Sequence, residues 1–185
     1  MKRYCKKNSA KQIIALLLVV LAFNIKTVYG QDGFPIPTGN ANQLFYIQRT
    51  PNKNTIVYEL NFKQDGTLDE EEPIHVVWIR YTEQGQRAEL NYIQRKFAYG
   101  VKAKQLSKDK YEIRFVSYKK YPLYLSKASD NKYYVFATVN QKQMVLKRVF
   151  LKINGGSFWL PNVEDVELKG TDPATGKEVI EHMKV

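Results

Sequence analysis

The chain is poor in the residues that most often carry metal and thiol chemistry. It has one cysteine, Cys5, and two histidines, His75 and His182, among 185 residues. A site built from thiolates and imidazoles needs three or four such ligands, so we expect no metal and no cofactor. No serine lies in a GxSxG turn of the kind that exposes a hydrolase nucleophile. These absences favour a binding function over catalysis.

The chain also lacks an apolar run long enough to cross a bilayer. Its longest run, Ile13 to Phe23, has about eleven residues, whereas a transmembrane helix needs roughly 20. Basic residues precede this run, and Val28-Tyr29-Gly30 follows it with a small residue before Gln31. The layout predicts a secretory signal peptide over residues 1–30, and hence a periplasmic or cell-envelope protein. An uncleaved anchor that tethers the protein to the membrane is the alternative.

The position of the one cysteine argues against a lipid anchor. A lipoprotein would need a cysteine just after the apolar run, but Cys5 precedes it. Removal of the signal peptide would leave no thiol, so we expect a fold without disulfides. The sequence predicts a flexible segment over residues 31–43 and a single β-rich domain over residues 44–185.

Much of the basic charge belongs to the predicted signal peptide. The whole chain has a formal charge of +11, and without the six Lys and Arg of residues 1–30 it is 23 − 18 = +5. The remainder is uneven, because Arg87 to Lys152 contains sixteen basic residues and four acidic ones. This distribution predicts a basic face on the folded domain.

Apolar and polar residues alternate with a period of two through most of the remaining sequence, which is typical of β-strands. The segments Leu44 to Arg49 and Asn54 to Phe62 flank a turn-forming TPNKN and predict a hairpin. Pro73 to Thr82 is apolar on both faces and predicts an internal strand. Further strands are predicted in GVKAKQL, KYEIRFVSY, PLYLSKA, KYYVFATVN, MVLKRVFLKI, VEDVELKG and the segment from Glu178.

One segment has a helical period instead. In Ala88 to Ala98, the apolar residues Leu90, Ile93 and Phe97 fall on one side of a helix, and Gly100 follows as a stop signal. We therefore expect a mainly β fold: a single antiparallel β-sandwich or small β-barrel of about nine strands, with one short helix near residues 88–98.

The segments LFYIQR, NTIVYELN, PIHVVWIRY and EQGQRAELNYIQRKFAYGVK together resemble the bacterial domain-of-unknown-function family 4833. The similarity extends over most of the chain after residue 30 and is strongest over Leu44 to Lys104. It implies an exported or envelope protein with a β domain. It implies no activity, cofactor or catalytic residue.

Cations and aromatic rings alternate between Arg80 and Lys102, a mixture that can bind anionic or sugar groups. We expect a non-catalytic module that binds an anionic glycan, a lipid headgroup or an envelope protein, and no nucleic acid. A hydrolase-like enzyme with a carboxylate and arginine cleft, or a barrel that carries a small ligand, is the alternative. No catalytic residue is identified. The candidate ligand-binding residues are Glu59, His75, Arg80, Arg95, Tyr99 and Lys102.

Overall fold

Eleven strands account for most of the described part of the protein. The computed structural model describes residues 33–38, 40–157 and 160–184, and those from Pro37 onward belong to one compact unit. The predicted signal peptide lies outside the described residues, and the predicted flexible segment is described only in part. The strands are β1 (Gln43–Arg49), β2 (Thr55–Leu60), β3 (Ile74–Arg80), β4 (Gln86–Glu89), β5 (Val101–Ser107), β6 (Lys110–Phe115), β7 (Leu123–Lys127), β8 (Tyr133–Val139), β9 (Lys142–Gly156), β10 (Pro161–Thr171) and β11 (Glu178–Lys184).

All eleven strands belong to one mixed sheet. The strand order is β4-β3-β2-β1-β9-β8-β7-β6-β5, and β10 pairs with both β9 and β11. β1 runs parallel to β9, and the other strand pairs are antiparallel. The mainly β prediction and the β1–β2 hairpin are confirmed. The expectation of about nine antiparallel strands is wrong in number and in direction, and the sheet is not closed into a barrel.

The long strand β9 makes the sheet continuous. Along one edge its first residues pair with β8, its residues 148–151 pair with β1, and β10 follows its other edge. The register against β10 skips Lys147, so this residue forms a β-bulge. The bulge lies at the point along β9 where the neighbouring strand changes from β8 to β1. It separates a first wing, β1 to β4, from a second wing, β5 to β8.

The inner sides of the two wings share one core. Phe45 and Tyr58 of the first wing stack with ring centroids 4.4 Å apart, and Phe115 of the second wing meets both rings edge to face. Each aromatic ring of this kind buries roughly 150–250 Å². Buried aliphatic residues continue this core from both wings and from β9, among them Ile56, Val76, Ile113, Leu123, Leu125, Val135 and Leu146. The space between the wings is therefore filled by side chains.

The predicted helix exists but begins later and winds differently. Ala88 lies in β4, and the helical segment covers residues 92–99, of which Gln94–Tyr99 is a π-helix. Gly100 follows the segment, as the sequence predicts. A Cβ atom at Gly100 would lie 2.0 Å from the carbonyl oxygen of Arg95, so a larger residue cannot follow this turn without displacing it. Among the described residues, no helix has both the length and the apolarity needed to cross a membrane.

The apolar stripe predicted for this helix does not face the core as a whole. Leu90 is buried, but Ile93 and Phe97 are exposed, and Tyr99 is buried instead. The predicted stripe assumes the 3.6-residue period of an α-helix, and a π-helix has a wider turn that rotates its side chains away from those positions. The Tyr58 hydroxyl fixes the end of the segment by donating a hydrogen bond to the carbonyl oxygen of Tyr99 at 2.8 Å.

Candidate functional site

The structure divides the six predicted ligand-binding residues among separate places. Glu59 and His75 lie directly opposite each other on β2 and β3. Arg95 joins them through Glu89, to which both His75 and Arg95 are paired. The other three, Arg80, Tyr99 and Lys102, lie at the end of β3, in the core and on β5 respectively.

Glu59 is a buried carboxylate with a dedicated partner. Its residue is 3% exposed, and both of its carboxylate oxygens accept hydrogen bonds of 2.6 Å from the guanidinium of Arg87. This hydrogen bonding, together with the charges of Glu59 and Glu89, raises the pKa of Arg87, and desolvation opposes part of the rise. Arg87 reaches Glu59 from β4, which lies beside β3 in the sheet. Arg87 therefore holds Glu59 in an ion pair through both carboxylate oxygens.

His75 and Arg95 share one carboxylate near the surface. The His75 Nε2 atom lies 2.9 Å from Glu89 Oε2, and Arg95 Nη2 lies 3.5 Å from the same oxygen. Arg95 and Glu89 are more than half exposed, and the His75 side chain is about a third exposed. The pairing joins β3, β4 and the helical segment at the surface.

Arg80 and Tyr99 are held by the protein itself. Arg80 pairs with Glu83 at 3.1 Å and lies over the Trp78 ring. The Tyr99 ring is 9% exposed and packs near Trp78, and burial raises the pKa of its hydroxyl. A ring in this position supports the core and offers little surface to a ligand.

Carboxylates such as Glu59 and Glu112, which a hydrolase-like cleft could use, lie on different wings. Glu59 lies on β2 and Glu112 on β6, five strand positions away in the sheet. Their strand neighbours Tyr58 and Ile113 point into the shared core, so Glu59 and Glu112 point away from it on different wings. Paired carboxyl groups of glycosidases are about 5–10 Å apart. The hydrogen bond from Arg114 lowers the pKa of Glu112, so that carboxyl is poorly suited to donate a proton.

Lys102 belongs to a different surface, the outer side of the second wing. Cross-strand neighbours here point to the same side, and one row across four strands consists of Lys104, Glu112, Tyr124 and Phe136. Rows on either side of it pair Lys102 with Arg114 and Lys110 with Ser126. We call this surface the basic face; it comprises Lys102, Lys104, Lys110, Glu112, Arg114, Tyr124, Ser126 and Phe136.

The basic face contains two shallow depressions. The larger has a volume of about 450 Å³ and is lined by Lys110, Tyr124, Ser126, Phe136 and Gln143. The smaller, about 290 Å³, is lined in part by Lys102, Lys104, Glu112, Arg114 and Lys119. Its single carboxylate, Glu112, is engaged by Arg114 at 2.7 Å. The three lysines of the smaller depression and Lys110 of the larger are exposed, so positive charge dominates this surface.

The sequence predicts the strands of the basic face but not the face as a unit. Alternation places Glu112, Arg114 and Val116 on the polar side of β6, which agrees with the structure for the first two. The register that sets Tyr124 beside Glu112 and Phe136 beside Tyr124 depends on turn geometry. Without that register, only Lys102 of this face was a predicted ligand-binding residue.

The histidines and carboxylates of the described residues are dispersed over the sheet. In residues 33–38, 40–157 and 160–184, no three His, Cys, Asp or Glu side chains lie together as a metal site would require. The second histidine, His182, instead pairs with Asp165 across β10 and β11 at 2.8 Å. That hydrogen bond is the first cause of its raised pKa.

These features define a mainly β protein with a packed core and a polar, positively charged sheet surface. The sequence profile of the family described as Domain of unknown function (DUF4833) matches residues 45–182. The match covers most of the chain, so the protein belongs to this family. Neither the curated proteins nor the solved structures contain a match to the chain.

Proposed function

We propose that the protein is a non-catalytic binding module whose basic face binds an acidic carbohydrate. The observation that supports this proposal is the row of Lys104, Glu112, Tyr124 and Phe136, which places two aromatic rings beside a cluster of cations. Aromatic faces pack against the apolar sides of sugar rings, and lysines bind carboxylate, sulfate or phosphate groups through charge-assisted hydrogen bonds. A shallow, open surface suits an extended polymer.

The charge of the basic face favours an acidic glycan over a neutral one. The residues that line the smaller depression include four cations and one carboxylate. The carboxylate already accepts a hydrogen bond from Arg114, so the lysines are the groups left to meet an anionic ligand. Binding should weaken as salt is added, because exposed charges are screened over about 10 Å at 0.1 M ionic strength.

Titration with oligogalacturonate, followed by calorimetry, tests the proposal. Removing one lysine by Lys104→Gln should weaken binding by about tenfold, since a hydrogen bond to a charged group contributes roughly 1.5–3 kcal/mol. Tyr124→Leu keeps an apolar side chain but removes the flat ring, and it should also weaken binding. The matched control is Lys177→Gln in the β10–β11 turn, which should have no effect. Equal losses in the control variant, or equal binding of a neutral galactan, would refute the proposal.

We also propose that the protein works outside the cytoplasm, in the periplasm or cell envelope. The support is the order of a basic opening, an eleven-residue apolar run and a small residue at Gly30. Amino-terminal sequencing of protein from the envelope fraction should give a first residue of Gln31. Recovery of the chain with residues 1–30 still attached would favour the anchor alternative, and recovery from the cytoplasm would refute export.

A further inference from the structure

The surface around the helical segment combines exposed apolar side chains with cations. Tyr92 is 70% exposed and Ile93 is 46% exposed. The Lys96 ammonium lies 5.1 Å from the centre of the Tyr92 ring and hydrogen-bonds to the Tyr92 hydroxyl at 2.7 Å. Burying this tyrosine and isoleucine against an apolar phase would be favourable, and the lysine beside them could contact a charged surface at the same time.

A second loop brings similar residues to the same end of the second wing. The Ser117 hydroxyl donates a hydrogen bond of 2.7 Å to the carbonyl oxygen of Ala98, and the Val116 amide donates to Gly100. These bonds hold the β6–β7 connection beside the last turn of the helical segment. Tyr118, which follows directly, is 51% exposed, and Lys120 is also exposed. We call Tyr92, Ile93, Lys96, Tyr118 and Lys120 the aromatic patch.

We propose that the aromatic patch docks onto an anionic bilayer surface. Tyrosine is favoured at the membrane–water interface because its ring is apolar and its hydroxyl is polar. Lysines beside such rings are attracted to anionic headgroups. Neither Lys96 nor Lys120 forms an ion pair with a described carboxylate, so both charges are available to headgroup phosphates. The basic face is not required for this contact.

Hydrogen bonds hold the helical segment in place, which supports docking by a rigid surface. The helical segment is attached at its end by the hydrogen bond from Tyr58 to Tyr99, and at Ala98 by Ser117. Its exposed side chains are therefore already in place before binding. Binding then avoids the conformational entropy cost of ordering the segment. The contact is peripheral: two tyrosines and one isoleucine reach the headgroup region, and the strands remain in water.

A fluorescent probe at the aromatic patch distinguishes docking by the patch from membrane binding by the apolar run of residues 13–23. The full chain with Cys5→Ser and Ile93→Cys is labelled with nitrobenzoxadiazole and mixed with vesicles of phosphatidylglycerol in phosphatidylcholine. Probe emission should shift to the blue, and a lipid-borne quencher should reduce it. The same label at Ile180→Cys, an exposed position of β11, should not respond. A response at residue 180 equal to that at residue 93, or no response at residue 93 while the protein sediments with vesicles, would overturn the proposal.

Substitution of the two lysines of the aromatic patch distinguishes bilayer docking from carbohydrate binding. A surface lysine contributes about 1 kcal/mol to binding an anionic membrane, so Lys96→Gln and Lys120→Gln should each reduce vesicle affinity about fivefold. Oligogalacturonate binding should stay unchanged in both variants. Equal affinity for vesicles of phosphatidylcholine alone, or unchanged affinity in the Lys96→Gln and Lys120→Gln double variant, would also overturn the proposal. Loss of oligogalacturonate binding with retained vesicle binding would count against the proposed function only.

Discussion

Arg87 holds both oxygens of the buried Glu59 carboxylate at 2.6 Å, across the third strand of the first wing. The two residues differ in exposure, since the Glu59 side chain is 4% exposed and the Arg87 side chain is 46% exposed. The guanidinium thus covers a carboxylate that water reaches poorly. Removal of the arginine would leave that charge buried without its partner.

Arg87→Ala should therefore destabilise the fold by about 3 kcal/mol, in the range for breaking one side of a buried ion pair. Urea denaturation followed by far-UV circular dichroism measures this change. Glu59→Gln in the Arg87→Ala background should recover part of the loss, because it removes the buried charge. A double variant less stable than Arg87→Ala alone would contradict this explanation.

His182 should give the protein a pH-dependent increment of stability. The hydrogen bond to Asp165 raises the pKa of His182 in the folded state above its usual value. The increment is then fully present below the unfolded pKa of about 6.5 and is lost as the pH rises through the folded pKa. The effect should stay within about 1 kcal/mol because the imidazole is exposed. Thermal unfolding of wild type and His182→Asn should differ more at pH 5 than at pH 9.

Gly100→Ala should be costly although its backbone conformation is an ordinary extended one. The added Cβ atom would meet the Arg95 carbonyl oxygen at 2.0 Å, and a backbone atom cannot move aside as a side chain can. We expect a loss of about 3 kcal/mol in unfolding free energy.

Gly66→Ala is the matched control for Gly100→Ala. Nothing lies within 4 Å of a Cβ atom at Gly66, and the positive φ alone should cost about 1–2 kcal/mol. Chemical denaturation of both variants gives the comparison. A smaller loss at Gly100 than at Gly66 would show that the last turn of the helical segment adapts.

Tyr58→Phe should loosen the helical segment more than the sheet. The substitution keeps the ring that stacks on Phe45 but removes the hydroxyl that donates to the Tyr99 carbonyl. The net loss should be about 1–1.5 kcal/mol. Hydrogen exchange should quicken in residues 92–99 before it quickens in β1 or β2. Uniform acceleration across the first wing would indicate that the ring, and not the hydroxyl, is disturbed.

Local sequence signals predicted the strands and turns well, because alternation and turn residues act over a few positions. β4 was missed, since its sequence QRAE has neither β-branched nor aromatic residues and the strand lies at an edge. That omission also hid the partner of Glu59. The parallel pairing of β1 with β9 could not be predicted, because it depends on two segments roughly 100 residues apart.

Residue type alone cannot place the six candidate residues at one site. Export, binding and the six candidate residues rest on residue type, which a sequence displays directly. Which residues lie together depends on register, and a shift of one residue turns every side chain of a strand to the other face. Lys102 therefore lies on the basic face, while Tyr99, three positions earlier, lies in the core.

Because β1 pairs with β9, the first wing cannot complete its strand pairing before β9 is present. β1 and β2 can form their hairpin early, but the other edge of β1 has no strand to pair with until the chain extends to Leu151. Until then, the first wing presents an unpaired strand edge, which invites association with other chains. A chain that is still being synthesised has this unpaired edge until β9 is complete, so a chaperone that shields β1 during synthesis would raise the yield of folded protein.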